Sequence, residues 1–172
     1  ILRLDKILKS LLDYAKVKEK SKIETDLNEI IRNSLILLRT QAIKQDIQIE
    51  TELSPITPKI LLDENEMKQV ILNLSLNAFQ AMPNGGTLKI STSHQTVNRV
   101  LGLLVSFVDN GEGILPENLS KINTLFFTTK SDGTGLGLPM SQKIVREHGG
   151  SITISSETGL GTSVNVFLPV DR

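Results

Sequence analysis

Apolar positions recur at helical spacing through residues 1–20. Leu4, Leu8, Leu11 and Ala15 form a stripe that Ile1, Ile7, Leu12 and Tyr14 widen. The stretch ends in a basic run, residues 16–22, which suits either the C-terminal turn of a helix or a solvated junction. A terminal helix this apolar needs a partner: the domain that follows, or the other arm of a hairpin or coiled coil. From Ile23 the pattern becomes compact. A short strand over 23–26 leads into a helix over 27–44, and the alternation Ile47-Gln48-Ile49-Glu50 predicts a strand over 46–53. Pro55 and Pro58 mark a loop, and 59–62 reads as a short strand. Asp63 is an N-cap with Glu66 three residues on, a capping box for a helix that runs to 82. Residues 83–86 (Pro-Asn-Gly-Gly) form a turn, and 87–94 and 100–108 are strands. Residues 109–135 are rich in Gly, Asn, Ser and Thr and read as loop with one helical piece at 117–122. A helix over 136–148 stops at Gly149-Gly150. Strands over 151–156 and 162–168 close the chain. Alternating helices and strands with late hairpins predict an α/β fold: a mixed sheet covered by helices on one face.

Composition narrows the function classes. The chain has 172 residues, which suggests about one domain, and 39% of them are hydrophobic, enough for a core. Lys+Arg and Asp+Glu are 19 each, so no basic excess recommends a nucleic-acid partner. There is no cysteine, which removes disulfides, thiolate zinc sites, iron–sulfur clusters and thiol nucleophiles together. That fits a reducing compartment, and a cytoplasmic location is expected. The longest mostly apolar stretch, 100–108, is short of the ~18 residues that span a bilayer. The chain begins at Ile1 without a signal peptide and reads as an excised piece of a longer protein, whose membrane span or sensor domain stays open.

Three segments carry candidate chemistry. On the helix over 63–82, at about 100° per residue, Asn73, Asn77, Gln80 and Glu66 share one stripe with apolar residues on both flanks. Amides boxed in this way need partners, either a ligand or hydrated metal, or merely neighbouring loop backbone. Asp109-Asn110-Gly111-Glu112-Gly113-Ile114 follows a hydrophobic strand. Its glycines permit close approach of the backbone and its Asp can accept from an amino group; the other reading is a polar turn. An EF-hand fails here, because Gly111 stands at a ligand position. Gly133-Thr134-Gly135-Leu136-Gly137-Leu138 opens onto a helix, an anion-binding arrangement or a flexible loop. It is neither a Walker loop nor a dinucleotide fingerprint. Phe126-Phe127-Thr128-Thr129-Lys130 just before it suggests a lid, or two core anchors beside a lysine that reaches phosphate or solvent.

In this order and spacing the segments resemble the ATP-binding domain of sensor histidine kinases, kin to gyrase, the heat-shock chaperone ATPases and the mismatch-repair ATPase. Asp63 with residues 69–74 and Asn77-Ala78 resembles the N box. Asp109–Ile114 is similar to the first glycine box, Phe126–Lys130 to the F box and Gly133–Leu138 to the second glycine box. Residues 141–154, with His148-Gly149-Gly150-Ser151-Ile152, and the pair Gly161-Thr162 also follow the family. The resemblance covers 23–169, and the Phe-Phe-Thr-Thr-Lys form points to the nitrogen-regulation and sporulation-kinase branch.

The resemblance implies a Bergerat-type two-layer α+β sandwich with a mostly antiparallel sheet over 21–172, preceded by the end of a dimerisation hairpin over 1–20. It implies ATP or ADP with Mg2+ as ligands. Asp109 then accepts from the adenine amino group, with Thr162 and Gly113 holding a water. Asn77 coordinates magnesium, Asn73 supports the phosphate side, and Gly135, Leu136, Gly137 and Leu138 offer backbone N–H groups. Ile114 and Leu138 wall the base, and Gly111, Thr129, Lys130, Gly133 and Thr134 complete the nucleotide set. Asn73, Asn77 and Lys130 form the catalytic set. Two departures stand out: Asn123 and Leu125 replace the aromatic and proline that usually precede the F box, and Gln80 replaces a common Lys or Arg. The phosphate cation then falls to Lys130.

Hydrolytic relatives place a glutamate where this chain has Asn73, and an amide is no general base, so transfer is favoured over hydrolysis. Of the two histidines, His94 lies in a polar strand end and His148 ends a helix in a capping or dipole role. The acceptor histidine is expected upstream of Ile1, so this piece should bind ATP yet not autophosphorylate alone. The partners implied are its own dimerisation domain and a response-regulator receiver domain, within a homodimeric parent; whether the catalytic piece alone is a monomer stays open. The competing functions are a serine kinase or ATPase of the same fold and a nucleotide-binding interaction module.

Overall fold

A computed structural model describes residues 21–130 and 133–170. The helix expected over 1–20 lies outside the described residues. In chain order the elements are β1 (Ile23–Thr25), α1 (Leu27–Lys44), β2 (Ile47–Leu53), β3 (Ile60–Leu62), α2 (Glu64–Gln80), β4 (Gly86–Val97), β5 (Val100–Asp109), α3 (Pro116–Leu119), α4 (Gly137–Glu147), β6 (Ser151–Glu157) and β7 (Gly161–Pro169). The five-stranded sheet has the order β2-β4-β5-β7-β6. Only β2 and β4 are parallel, and the crossover this demands contains α2. The other neighbours are antiparallel, and β1 and β3 form a separate antiparallel pair. This is the mixed sheet that the pattern predicts, mostly antiparallel as the resemblance implies.

Strand alternation decides which face the helices cover. Leu88 and Ile90 of β4, Leu103, Val105 and Phe107 of β5, and Val166 and Leu168 of β7 are buried in one core. Ile30, Ile31 and Leu38 of α1, Met67, Val70, Ile71 and Leu74 of α2, and Ile144 and Val145 of α4 complete it. The intervening positions are mixed: Ser91, Ser93, Ser106 and Ser163 share that face with Leu104, Val108 and Phe167. The buried Asn28 is satisfied within a small network. Its Nδ2 donates to Ser54 O (2.8 Å), its Oδ1 accepts from Thr92 Oγ1 (2.9 Å), and Ser54 N donates to Thr92 Oγ1 (2.8 Å).

Three details differ from expectation. β4 continues beyond His94 to Val97, so His94 lies within the strand opposite Leu103. The hairpin closes at Asn98 and Arg99, both at positive φ (50° and 68°), the backbone of a two-residue turn matched to strand twist. The helical piece near 117–122 contracts to Pro116–Leu119. The capping box is only half made: Asp63 Oδ1 accepts from Glu66 N (3.0 Å), but the return bond from Asp63 N goes to His148 Nε2 (3.0 Å). No helix among the described residues is long and apolar enough to cross a membrane.

Candidate functional site

Asp109 is the last residue of β5 and faces the helices, opposite Leu88 and Thr162. It is only 7% exposed. Its Oδ1 accepts from Gly111 N (2.9 Å) and Thr162 N (3.2 Å), which fixes the plane of the carboxylate. Among the described residues no hydrogen bond reaches Oδ2. Burial raises the Asp109 pKa above the ordinary carboxylate value, against the pull of the Gly111 and Thr162 N–H groups and the Lys130 charge.

The loop after Asp109 is stitched on two sides. Glu112 N donates to Ala81 O at the end of α2 (2.9 Å), and Glu112 O accepts from Gly159 N in the β6–β7 turn (2.8 Å). Ile114 N donates to Ser156 Oγ (2.8 Å), which lies 2.9 Å from Thr162 Oγ1. Sequence reasoning missed Ser156, and its only signal is register, since it pairs with Thr162 across β6 and β7. Gly111 is required sterically. A Cβ there would meet the Ala81 carbonyl oxygen and lie 2.8 Å from its carbon. Gly111→Ala is expected to cost about 1–3 kcal/mol, as overpacked sites do, and to lift the loop from α2. Denaturant unfolding checks this, and wild-type stability would remove the close approach.

α2 carries the amide stripe toward the second glycine-rich loop. Asn73 Nδ2 donates to Gly137 O (3.4 Å), which also accepts from Ser141 Oγ (3.0 Å). Asn77, one turn on, is exposed, and no bond to its side chain is present among the described residues. Gln80 Oε1 accepts from Lys130 Nζ (2.7 Å), so the residue that departs from the family pattern holds the only cation of the lid segment 126–130. Burial lowers the Lys130 pKa, and Glu112 and Asp109 pull it back up. Lys130 therefore lies within electrostatic reach of the first glycine loop while bonded to α2.

Segment 126–130 is folded on the second glycine loop. Phe126 N donates to Gly135 O (3.1 Å), and both residues sit at φ 66°. Lys130 N donates to Thr128 Oγ1 (3.1 Å), Gly133 N to Lys130 O (3.2 Å) and Leu136 N to Thr134 Oγ1 (3.4 Å). Thr129 is exposed. Leu136 is the N-cap of α4 without a side-chain capping bond, and no acidic residue occupies the first turn. The N–H groups of Gly137 and Leu138, with the positive end of the helix dipole, form an arrangement that can bind an anion, while Pro139 supplies no N–H. Leu136 is buried, and Leu138 packs against the hydrophobic core.

The predicted residues thus form linked groups. Asp109, Gly111, Gly113, Ile114 and Thr162 cluster at the ends of β5 and β7. Asn73 joins α2 to Gly137, and Lys130 bridges the lid to the same helix. Among the described residues no hydrogen bond ties the side chains of Asn77 and Thr129 in. No cluster of three or more His, Asp or Glu side chains suited to a metal occurs among the described residues.

Comparison with known proteins places this geometry. Residues 62–172 match the family described as histidine kinase-, DNA gyrase B- and HSP90-like ATPase. The sensor histidine kinase ZraS of Escherichia coli K12 is 36% identical over 169 residues, covering 98% of this chain and 36% of ZraS. Sporulation kinase C of Bacillus subtilis 168 is 39% identical over 171 residues, covering 99% of this chain and 39% of that kinase. The chain therefore spans well under half the length of these curated relatives. The solved catalytic domain of histidine kinase ThkA superposes with a TM-score of 0.75 at 32% identity, covering 87% of this chain and 96% of that domain. The chain belongs to the histidine kinase-, DNA gyrase B- and HSP90-like ATPase family and, within it, to the catalytic ATP-binding domains of histidine kinases.

Proposed function

We propose that the chain is the catalytic part of a two-component sensor kinase. It transfers the γ-phosphoryl group of ATP to a histidine on its own dimerisation domain, for relay to an aspartate of a response-regulator receiver domain. It works in the cytoplasm, within a homodimeric parent. The observation that carries this reading is the fixed, buried Asp109 carboxylate, linked through the glycine loop, α2 and Lys130 to the uncapped start of α4. Oδ2 of Asp109 accepts the adenine amino N–H, a contact that selects adenine over bases without a donor there. Thr162, oriented by Ser156, and Gly113 hold the accompanying water. The backbone from Gly133 through Leu138, with the start of α4, takes the phosphates. Lys130 swings from Gln80 to those phosphates, with Thr129 beside it.

The donor set suits magnesium. A single neutral amide, Asn77, with no acidic metal-binding cluster among the described residues, matches an ion that keeps waters and takes its remaining ligands from phosphate. Magnesium, when bound, neutralises charge that develops on the phosphates. Asn73 orients the phosphate side and, as an amide, cannot activate water, which leaves a protein nucleophile as the acceptor.

Incubating the chain with labelled ATP and a supplied dimerisation hairpin tests this. Acid-labile, base-stable phosphohistidine on the hairpin is expected, with none on the chain alone. Free phosphate as the only product would overturn it. Lys130→Met should weaken ADP binding roughly tenfold, ~1.4 kcal/mol, within the range of a charge-assisted bond. Unchanged affinity in calorimetry would return Lys130 to a solvated role.

A further inference from the structure

The helices α2 and α4 are antiparallel, and among the described residues a polar contact joins them at each end. At the site end, Asn73 of α2 meets Gly137 of α4 (3.4 Å). At the far end, Asp63, just before α2, meets His148, just after α4 (3.0 Å). The two contacts lie ten residues apart along α2 and eleven along α4, about 15 Å of helix in each case.

His148 is only 7% exposed, and both ring nitrogens are committed. Nδ1 lies 2.8 Å from Ile144 O, an acceptor only, so Nδ1 carries the proton and donates. Nε2 is left as the acceptor for Asp63 N–H. The local sequence offered Glu66 for that bond, as in a capping box. Instead Glu66 Oε2 is buried without a hydrogen-bond partner among the described residues, and the bond crosses 85 residues to the end of α4.

We propose that His148 is a positioning residue for the nucleotide site: its bond to Asp63 N–H sets the axial register of α2 against α4. Through that register it sets the distance of Asn73 and Asn77 from the start of α4. α2 and α4 share one apolar core whose burial is non-directional, so the polar contacts at the two ends add to the packing in fixing the register. The Asn73–Gly137 bond is long and cannot hold it alone. A slip of one residue moves the amides by about 1.5 Å, more than a precise site tolerates. The inference rests on the nucleotide reading of the site for its consequence, but not for the bond itself.

NMR on the 15N-labelled chain reads the bond directly. A scalar coupling between Asp63 N and His148 Nε2, with Nδ1 protonated, is expected in the wild type; its absence overturns the proposal. His148→Phe removes both ring bonds. It should shift the Asn73 and Asn77 side-chain amides without nucleotide and weaken Mg-ADP binding by about tenfold or more. His148→Gln, which restores an acceptor, should recover most of the affinity. A folded Phe variant with wild-type amide positions and affinity overturns the role. If the Phe variant does not fold, the coupling and the Gln variant decide alone. A wild-type chain that ignores Mg-ADP would instead defeat the nucleotide reading and leave the coupling test standing.

Discussion

Asp109→Asn is expected to abolish adenine-nucleotide binding while leaving the domain at least as stable near neutral pH. The substitution keeps an oxygen that can accept from Gly111 N and Thr162 N. It replaces the second oxygen with an NH2 that faces the donor of the base, so two donors meet and neither is satisfied. An affinity loss of at least about a hundredfold, ~2.7 kcal/mol, follows. Stability moves differently. Burial raises the Asp109 pKa in the folded chain above its ordinary value. The contribution of this group is therefore fully present below the ordinary carboxylate pKa and is lost as pH rises through the raised one. Above that window the ionised carboxylate is a net cost, which Asn does not carry. Thermal unfolding of the two proteins should differ least in acid, with the variant gaining on the wild type as pH rises. Unchanged affinity would remove the adenine role, and a variant that loses stability relative to the wild type as pH rises would contradict the electrostatic account.

Asn77→Ala should erase the magnesium dependence of binding. The wild type is expected to bind ADP several-fold more tightly with magnesium than with chelator, and the variant equally in both. Because Asn77 is exposed on α2 and Ala is the better helix former, folding should be unharmed. An intact magnesium response in calorimetry would assign the ion to other groups.

β2 and the first half of β4 were legible because apolar and polar positions alternate along them. Ile47 and Ile49, or Leu88 and Ile90, announce both the strand and its buried side. The glycine loops were legible because a close approach leaves no alternative residue, as at Gly111 under Ala81. What escaped depends on distant neighbours. The tail of β4 projects past the core, so Gln95 and Thr96 carry no apolar alternation. The capping box at Asp63 was half right, because its backbone donor is taken by His148 rather than by the local Glu66. Ser156 acts through Thr162 and Ile114, and only strand pairing reveals it. Gln80 stood out as a departure, but its bond to Lys130 needed the lid in place.

The central claim is that one ligand touches all of these segments at once. Titrating the 15N-labelled chain with Mg-ADP tests it most directly. The account predicts that the backbone resonances of Gly111, Gly113, Gly137 and Thr162 and the side-chain amides of Asn73 and Asn77 shift together along one binding isotherm. Shifts confined to one segment, or separate isotherms for the two glycine loops, would contradict it.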